Sequence, residues 1–465
     1  LKPFGTGGDC FVFRSRMQAL GTTPRSMTQR RTTVSLALAA AVLLAASPNA
    51  SLAAASGDGA EKKEIKVPGW PDLSGKVPLS SGIISHGMVL ASGMAGFDIH
   101  TMQLVPGGVA NETKQALTLV QEIVEAGGSD MAHVVGCAVY LMDMKDFAAM
   151  NAVYASFFPK PRPVRVAVQI AQLAGNSSVE IQCSASLPGV ARKEVIVPTW
   201  PDLTTKFPFS TAIASDEFVF ASGFPGFDMR AGKLVPGGVF AETEQALSNI
   251  RETVLQAGSS MSNIVGCAVY MTNVKDFALM NKAYATFFSH PPPSRVAFEV
   301  AALAGGASVE IQCTAALPFA GRKQVVVPGW PDLSQKVPLS SGISAGDFLF
   351  ASGLMGTDMR TMKPVAGGVQ AETKQALENL QEVVHAGGSS MADVTACAVY
   401  LTDMGDFAAM NEVYAGFFPK PPPARVATQV AALVGGAAVE IQCTAALPSV
   451  VAKASAETSN PVVVV

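Results

Sequence analysis

One stretch of this chain occurs three times, and each copy follows the last by 130 residues. It runs from Pro161 to Cys183 and returns from Pro291 and from Pro421, each time with one arginine after a proline-rich segment and one glutamate in a closing V-E-I-Q-C. The three tryptophans and six tyrosines recur with the same period. Solenoid repeats span only about 20–50 residues, so each unit should be a complete domain. The sequence therefore predicts three tandem domains, at residues 66–188, 196–318 and 326–448.

The hydrophobic pattern inside one unit predicts an α+β fold. Strands are expected at 88–92 and 133–141, helices at 112–126 and 143–157, and two closing strands at 165–173 and 179–187. Gly127-Gly128 ends the first helix, and Pro159, Pro161 and Pro163 end the second. This order indicates a sheet with helices on one face.

The repeated arginines, Arg165, Arg295 and Arg425, are the first candidates for a binding site. On a strand each would share a face with a small residue, Ala167, Ala297 or Ala427. A guanidinium on such an open floor matches a carboxylate with two hydrogen bonds and stays charged at physiological pH. A salt bridge at a surface or between domains is the alternative.

The repeated glutamates, Glu180, Glu310 and Glu440, lie off the apolar face of the last strand and could exchange a proton with water. A solvated strand face is the alternative. If the loop near Gly175 closes a simple hairpin, Arg165 lies about 23 Å from Glu180 along the strand. We therefore expect the arginine and glutamate of one repeat to belong to different sites, each completed by a neighbouring repeat.

Composition excludes several function classes. Residues 1–55 hold six basic residues and one acidic residue, so the remaining chain carries a net charge of −8, which argues against a nucleic-acid binder. The five histidines share no repeat position, so no metal site common to the units is expected. Six of the seven cysteines form two repeated series on apolar strand faces and read as buried small residues; disulfides stay possible without specific pairs.

The first 55 residues have the composition of a targeting presequence. An acid-poor, Arg/Ser/Thr-rich start is followed by Arg30-Arg31, the 13-residue apolar run Val34–Ala46 and an A-x-A site at Ala53. A bilayer span needs about 20 residues, so no membrane span is expected in the mature chain. The pattern favours a chloroplast protein exported to the thylakoid lumen; a bacterial exported, periplasmic protein is the alternative. The tail at 449–465 has no repeat counterpart and is expected to be disordered.

Four motifs together resemble the reactive intermediate deaminase (RidA/YjgF-type) family: an A-S-G strand end, the D-F-A-x-M-N helix, the P-x-R-V-A strand and the V-E-I strand. The resemblance covers each repeat nearly end to end. It implies three chorismate-mutase-like domains that form a single-chain pseudo-trimer with clefts between repeats. It also implies hydrolysis of enamines and imines such as 2-aminoacrylate to ketoacids and ammonia, without a cofactor or metal.

The resemblance also assigns roles to residues. The arginines match the group that grips the substrate carboxylate, and the glutamates match the catalytic group that handles the attacking water. Further cleft residues are implied at Ser92, Gly93, Ser222, Gly223, Ser352, Gly353, Asn151, Asn281 and Asn411. The chain departs from the family where a cleft tyrosine is replaced by Leu79, Phe209 and Leu339 and a cysteine by Ala167, Ala297 and Ala427. A carboxylate-binding module without turnover is the second hypothesis, and an endoribonuclease or translation inhibitor the third.

Overall fold

Each repeat forms one sheet whose outer face is covered by two helices. The computed structural model describes residues 62–72 and 77–448, so the predicted presequence and the predicted disordered tail lie outside the described residues. The longer, first helix of the repeats spans Gly108–Ala126, Gly238–Gln256 and Gly368–Ala386. The shorter, second helix spans Phe147–Phe157, Phe277–Ala285 and Phe407–Tyr414.

In each repeat one strand carries the arginine, one carries the glutamate, and a central strand lies between them. The central strand is Val134–Leu141, Ile264–Met271 or Val394–Leu401. The arginine strand is Val164–Gln169, Ser294–Glu299 or Ala424–Gln429. The glutamate strand is Val179–Ser186, Val309–Ala316 or Val439–Ala446.

The remaining strands form hairpins and edges. Hairpins join Gly82–Ser85 to Met88–Ala91, Ala212–Ser215 to Phe218–Ala221, and Gly342–Ala345 to Phe348–Ala351. Edge strands are Lys63–Glu64, Arg192–Val195 and Arg322–Val325, which begin three or four residues before the predicted unit starts. Short strands that pair with the glutamate strands are Met94–Ala95, Phe224–Pro225 and Leu354–Met355. Two-residue ribbons join Phe227–Asp228 to Lys233–Leu234 and Thr357–Asp358 to Lys363–Pro364.

The strand order corrects the hairpin assumed from the sequence. The central strand lies between the arginine strand and the glutamate strand, parallel to the first and antiparallel to the second. The parallel pairing follows from the second helix, which connects the central strand to the arginine strand, because parallel neighbours need such a crossover. Cys137 pairs with Arg165 on one side, while Tyr140 pairs with Glu180 on the other. The arginine and glutamate of one repeat are therefore two strands apart.

The three sheets are joined in a closed ring. A two-residue strand after each arginine strand hydrogen-bonds to the arginine strand of another repeat. Ala302 pairs with Gln169, Ala432 with Glu299, and Gln172 with Gln429. Repeat 2 thus extends the sheet of repeat 1, repeat 3 extends that of repeat 2, and repeat 1 extends that of repeat 3. The α+β fold of three tandem domains forming a single-chain pseudo-trimer is confirmed.

The buried apolar residues form one core in each repeat and one further core that all three repeats share. The apolar stripe of the first helix packs on the sheet and forms one cluster per repeat. A fourth cluster joins all three repeats through Tyr140, Tyr270 and Tyr400. Nearby, a cavity of about 260 Å³ is lined by one glutamine from each repeat, Gln182, Gln312 and Gln442. Within the described residues no helix has the length and apolarity to cross a bilayer.

Cysteines of the two series form disulfides, which the sequence left open. In each repeat the cysteine of the central strand lies opposite the cysteine of the glutamate strand. The pairs are Cys137–Cys183, Cys267–Cys313 and Cys397–Cys443. Each bond therefore joins neighbouring strands beneath the helices of its own repeat.

Candidate functional site

Each repeated arginine lies buried under the second helix of its own repeat. The side chain of Arg165 is 3% exposed, and its Nη1 donates a hydrogen bond to Oδ1 of Asn151 at 2.5 Å. The guanidinium carbon lies 4.8 Å from the ring centroid of Tyr154 and 5.4 Å from that of Phe147. Arg295 and Arg425 make the same contacts with Asn281, Tyr284, Phe277 and with Asn411, Tyr414, Phe407.

The backbone of each arginine is held by the Ser-Gly pair of the next repeat. The Arg165 N–H donates to Oγ of Ser222 at 2.9 Å, and the Gly223 N–H donates to the Arg165 carbonyl at 3.0 Å. The Ser222 hydroxyl in turn donates to the Ser210 carbonyl at 2.7 Å. Equivalent bonds hold Arg295 with Ser352-Gly353 and Arg425 with Ser92-Gly93. The serine hydroxyls are thus engaged in positioning the arginine.

The repeated glutamates face the arginine of a different repeat. Glu310 interacts electrostatically with Arg165, Glu440 with Arg295, and Glu180 with Arg425. Glycine allows this approach: a Cβ at Gly93, Gly223 or Gly353 would collide with the carboxylate of the same repeat and come within 2.9 Å of a valine beside the facing arginine. We call the three arrangements the 1–2 site (Arg165 and Glu310), the 2–3 site (Arg295 and Glu440) and the 3–1 site (Arg425 and Glu180).

Burial controls the charge of both partners. It raises the pKa of Glu180, Glu310 and Glu440 to about 8, although the facing arginine favours the ionised form. Burial also lowers the pKa of Arg165 to about 10. Because this value is still well above 7, the guanidinium stays charged at neutral pH. Each site therefore combines a fixed cation with a carboxyl group that can gain and lose a proton near neutrality.

Several buried polar atoms of the sites have no partner among the described residues. They are Nη2 of Arg295, Nε of Arg425 and Oε2 of Glu440. Buried donors and acceptors are normally paired, and an unpaired guanidinium N–H costs free energy unless a ligand completes it. An anion with a planar pair of oxygens fits such a guanidinium. The described residues contain no group of three His, Cys, Asp or Glu side chains placed to hold a metal ion.

The sequence identified some of these residues and missed others. The structure brings together the predicted arginine and asparagine of one repeat with the predicted Ser-Gly pair and glutamate of the next. It adds the aromatic rings on the guanidinium, of which Tyr154, Tyr284 and Tyr414 are fully buried with unpaired hydroxyls. Their regular 130-residue spacing was the available signal. It also adds Phe209, whose ring centroid lies 5.0 Å from the Arg165 guanidinium carbon.

Comparison with known proteins gives the family. The sequence profile of Endoribonuclease L-PSP matches residues 72–187, 201–317 and 332–447. A RutC family protein of Pyrococcus horikoshii is 44% identical over 108 residues, which are 23% of this chain and 86% of that protein. The 2-iminobutanoate/2-iminopropanoate deaminase of Mus musculus is 41% identical, over 23% of this chain and 80% of the enzyme.

A third relative comes from a plant. The chloroplastic Reactive Intermediate Deaminase A of Arabidopsis thaliana is 41% identical over 110 residues, which are 24% of this chain and 59% of that protein. Each relative aligns with about one repeat, whereas the three profile matches together span more than half of the chain. The chain therefore belongs to the Endoribonuclease L-PSP family, that is, the RidA/YjgF-type proteins, and carries its domain in three tandem copies.

Proposed function

We propose that this protein hydrolyses reactive enamines and imines of the 2-aminoacrylate type to 2-oxo acids and ammonia, at its three inter-repeat sites. The observation that carries the proposal is that each buried guanidinium lies beside a buried carboxyl of the next repeat. Burial raises the pKa of that carboxyl to about 8. The names of the mouse, goat and cattle relatives, imine deaminases all, agree with it.

The substrate carboxylate would bind to the guanidinium. Asn151 uses only Nη1 of Arg165, and the aromatic contacts act on the charge of the guanidinium rather than on its N–H donors. A bidentate hydrogen-bonded ion pair with a carboxylate would satisfy the donors that now lack partners at Arg295 and Arg425. This grip would orient the adjacent C=N or C=C–N carbon toward the glutamate.

The glutamate would carry the proton transfers. Protonated Glu310 gives its proton to the methylene carbon of an enamine, which becomes an imine. The resulting carboxylate then takes a proton from water as the water oxygen bonds to the C=N carbon. Glu310 then returns that proton to nitrogen, and the C–N bond breaks as the hydroxyl proton passes to the Glu310 carboxylate and C=O forms. One water is consumed, one ammonia is released, and the glutamate ends protonated as it began. A pKa near 8 suits both donation and acceptance at neutral pH.

The test is the rate of pyruvate release from 2-aminoacrylate generated enzymatically in the assay. We expect the Arg165/Arg295/Arg425→Ala triple variant to fall to the uncatalysed rate, because no guanidinium remains to hold the carboxylate. If the wild-type protein releases pyruvate no faster than this variant, the proposed enzymatic activity is rejected. Calorimetry with pyruvate then decides the second candidate, a carboxylate-binding module: binding that persists in the triple variant would reject that as well.

We also propose that the domains are bounded at 66–188, 196–318 and 326–448. We further propose that the protein is imported into the chloroplast and exported to the thylakoid lumen. The acid-poor residues 1–32, the Arg30-Arg31 pair and the apolar run after it support this route. Three disulfides fit an oxidising compartment. Fractionation of chloroplasts, with mass spectrometry of the mature N-terminus, tests it; recovery only in the stroma would contradict the lumenal assignment.

A further inference from the structure

The three sites differ in one side chain that lies beside the arginine, which we call the wall of the site. At the 1–2 site the ring of Phe209, from repeat 2, lies 5.0 Å from the guanidinium carbon of Arg165. The equivalent residues at the other two sites are Leu79 and Leu339. Beside Phe209 lies Phe207, stacked at a centroid distance of 5.6 Å and an interplanar angle of 22°. Repeats 1 and 3 have Val77 and Val337 there. One site of three therefore has an aromatic pair.

This pair extends from the buried cation to the surface. Phe209 is partly buried, and Phe207 is 39% exposed. Exposing a phenylalanine to water is unfavourable, and a flat apolar group packed against it would recover that cost. Because aromatic rings prefer stacked or edge-to-face contacts, such a wall favours planar partners over branched aliphatic ones.

The segment before this wall also accepts two hydrogen bonds from repeat 1, one of them from an arginine that the other repeats lack. Nη1 of Arg162 donates to the carbonyl of Thr204 at 3.4 Å, and Nζ of Lys160 donates to its Oγ1 at 3.4 Å. Thr204 lies in the 3₁₀ turn Leu203–Thr205, just before the two phenylalanines. Prolines replace Arg162 in the other repeats. The segment that carries the aromatic pair therefore has an arginine contact with the preceding repeat that the other two repeats cannot provide.

We infer that the 1–2 site is specialised for α-imino acids with a planar aromatic side chain, whereas the 2–3 and 3–1 sites prefer aliphatic ones; Phe209 is the residue that sets the difference. This inference rests on the proposed function. The chemistry is unchanged: water replaces the C=N bond with C=O and ammonia leaves. The carboxylate would bind Arg165 while the side chain packs on Phe209 and Phe207.

Variants that keep only some sites test the inference. R295A/R425A keeps the 1–2 site, and R165A keeps the other two. Imino acids of phenylalanine and leucine are made in the assay by an L-amino acid oxidase, and kcat/KM is measured for each. We expect the phenylalanine-to-leucine ratio to be about two- to tenfold higher in R295A/R425A than in R165A, the value of one aromatic contact. An equal or lower ratio would overturn the inference.

Two substitutions assign the effect to the aromatic position. Adding F209L to R295A/R425A should lower the ratio to that of R165A, and adding L339F to R165A/R425A should raise it at the 2–3 site. An unchanged ratio in F209L would remove Phe209 from the explanation.

A binding measurement separates this inference from the proposed function. If no variant hydrolyses any imine, the proposed function fails. Calorimetry of R295A/R425A with benzoate and acetate still decides the specificity. We expect F209L to weaken benzoate binding about two- to tenfold more than it weakens acetate binding. Equal loss for both anions, or no loss for benzoate, would overturn the assignment.

Discussion

At the scale of single residues, the buried glutamates make stability depend on pH. Burial raises the pKa of Glu180, Glu310 and Glu440 to about 8 from the usual 4.5. Below the unfolded value the group is protonated in both states, so its full contribution to stability is present. As pH rises toward the folded value, only the unfolded chain ionises freely, and this contribution is lost.

We therefore expect the free energy of unfolding to be lower at pH 9 than at pH 5, by on the order of a few kcal/mol per site. The E180Q/E310Q/E440Q variant keeps the shape of the side chains without the titration and should lose this part of the pH dependence. Urea denaturation at both pH values measures it. An identical pH dependence in the two proteins would refute the raised pKa.

At the scale of elements, the approach of two strands depends on a glycine. A Cβ at Gly223 would collide with the carboxylate of Glu310 and lie 2.9 Å from a methyl of Val166, next to Arg165. Gly223→Ala in the R295A/R425A background should therefore displace the glutamate from Arg165 and reduce imine hydrolysis at the 1–2 site about tenfold or more. Gly416→Ala is the control, because its Cβ would meet nothing closer than 3.5 Å. A loss of equal size in both would mean a general folding defect.

The sequence predicted the helices and strands better than it predicted their pairing. Periodicity predicted two helices and the main strands, because each has one apolar face or a continuous apolar run. It could not predict which strands pair. The arginine strand and the glutamate strand are consecutive long strands, yet the central strand separates them, since the second helix carries the chain across to a parallel position. The rings on Arg165 come partly from repeat 2, which local patterns do not reveal.

At the scale of the whole molecule, the ring of three sheets closes because a short strand of repeat 1 pairs with the arginine strand of repeat 3. Gln172 pairs with Gln429, and Ser80 donates its hydroxyl to the Pro422 carbonyl at 2.6 Å. The fused chain therefore has three composite sites, each with an arginine from one repeat and a glutamate from another. Fusion also lets one boundary diverge, as Phe209 has, which identical subunits of a homotrimer could not do.

The last prediction separates composite sites from sites within single repeats. If Arg295 works with Glu440, R295A already silences the 2–3 site, and adding E440Q should cost nothing more. Adding E310Q instead removes the partner of Arg165 and should silence the 1–2 site too, so that about half of the R295A activity is lost on a substrate that all sites accept equally. If each repeat contained its own site, the two results would be exchanged, because Glu310 and Arg295 belong to the same repeat. Rates of 2-aminoacrylate hydrolysis in R295A, R295A/E440Q and R295A/E310Q, with matched unfolding curves, decide between the two arrangements.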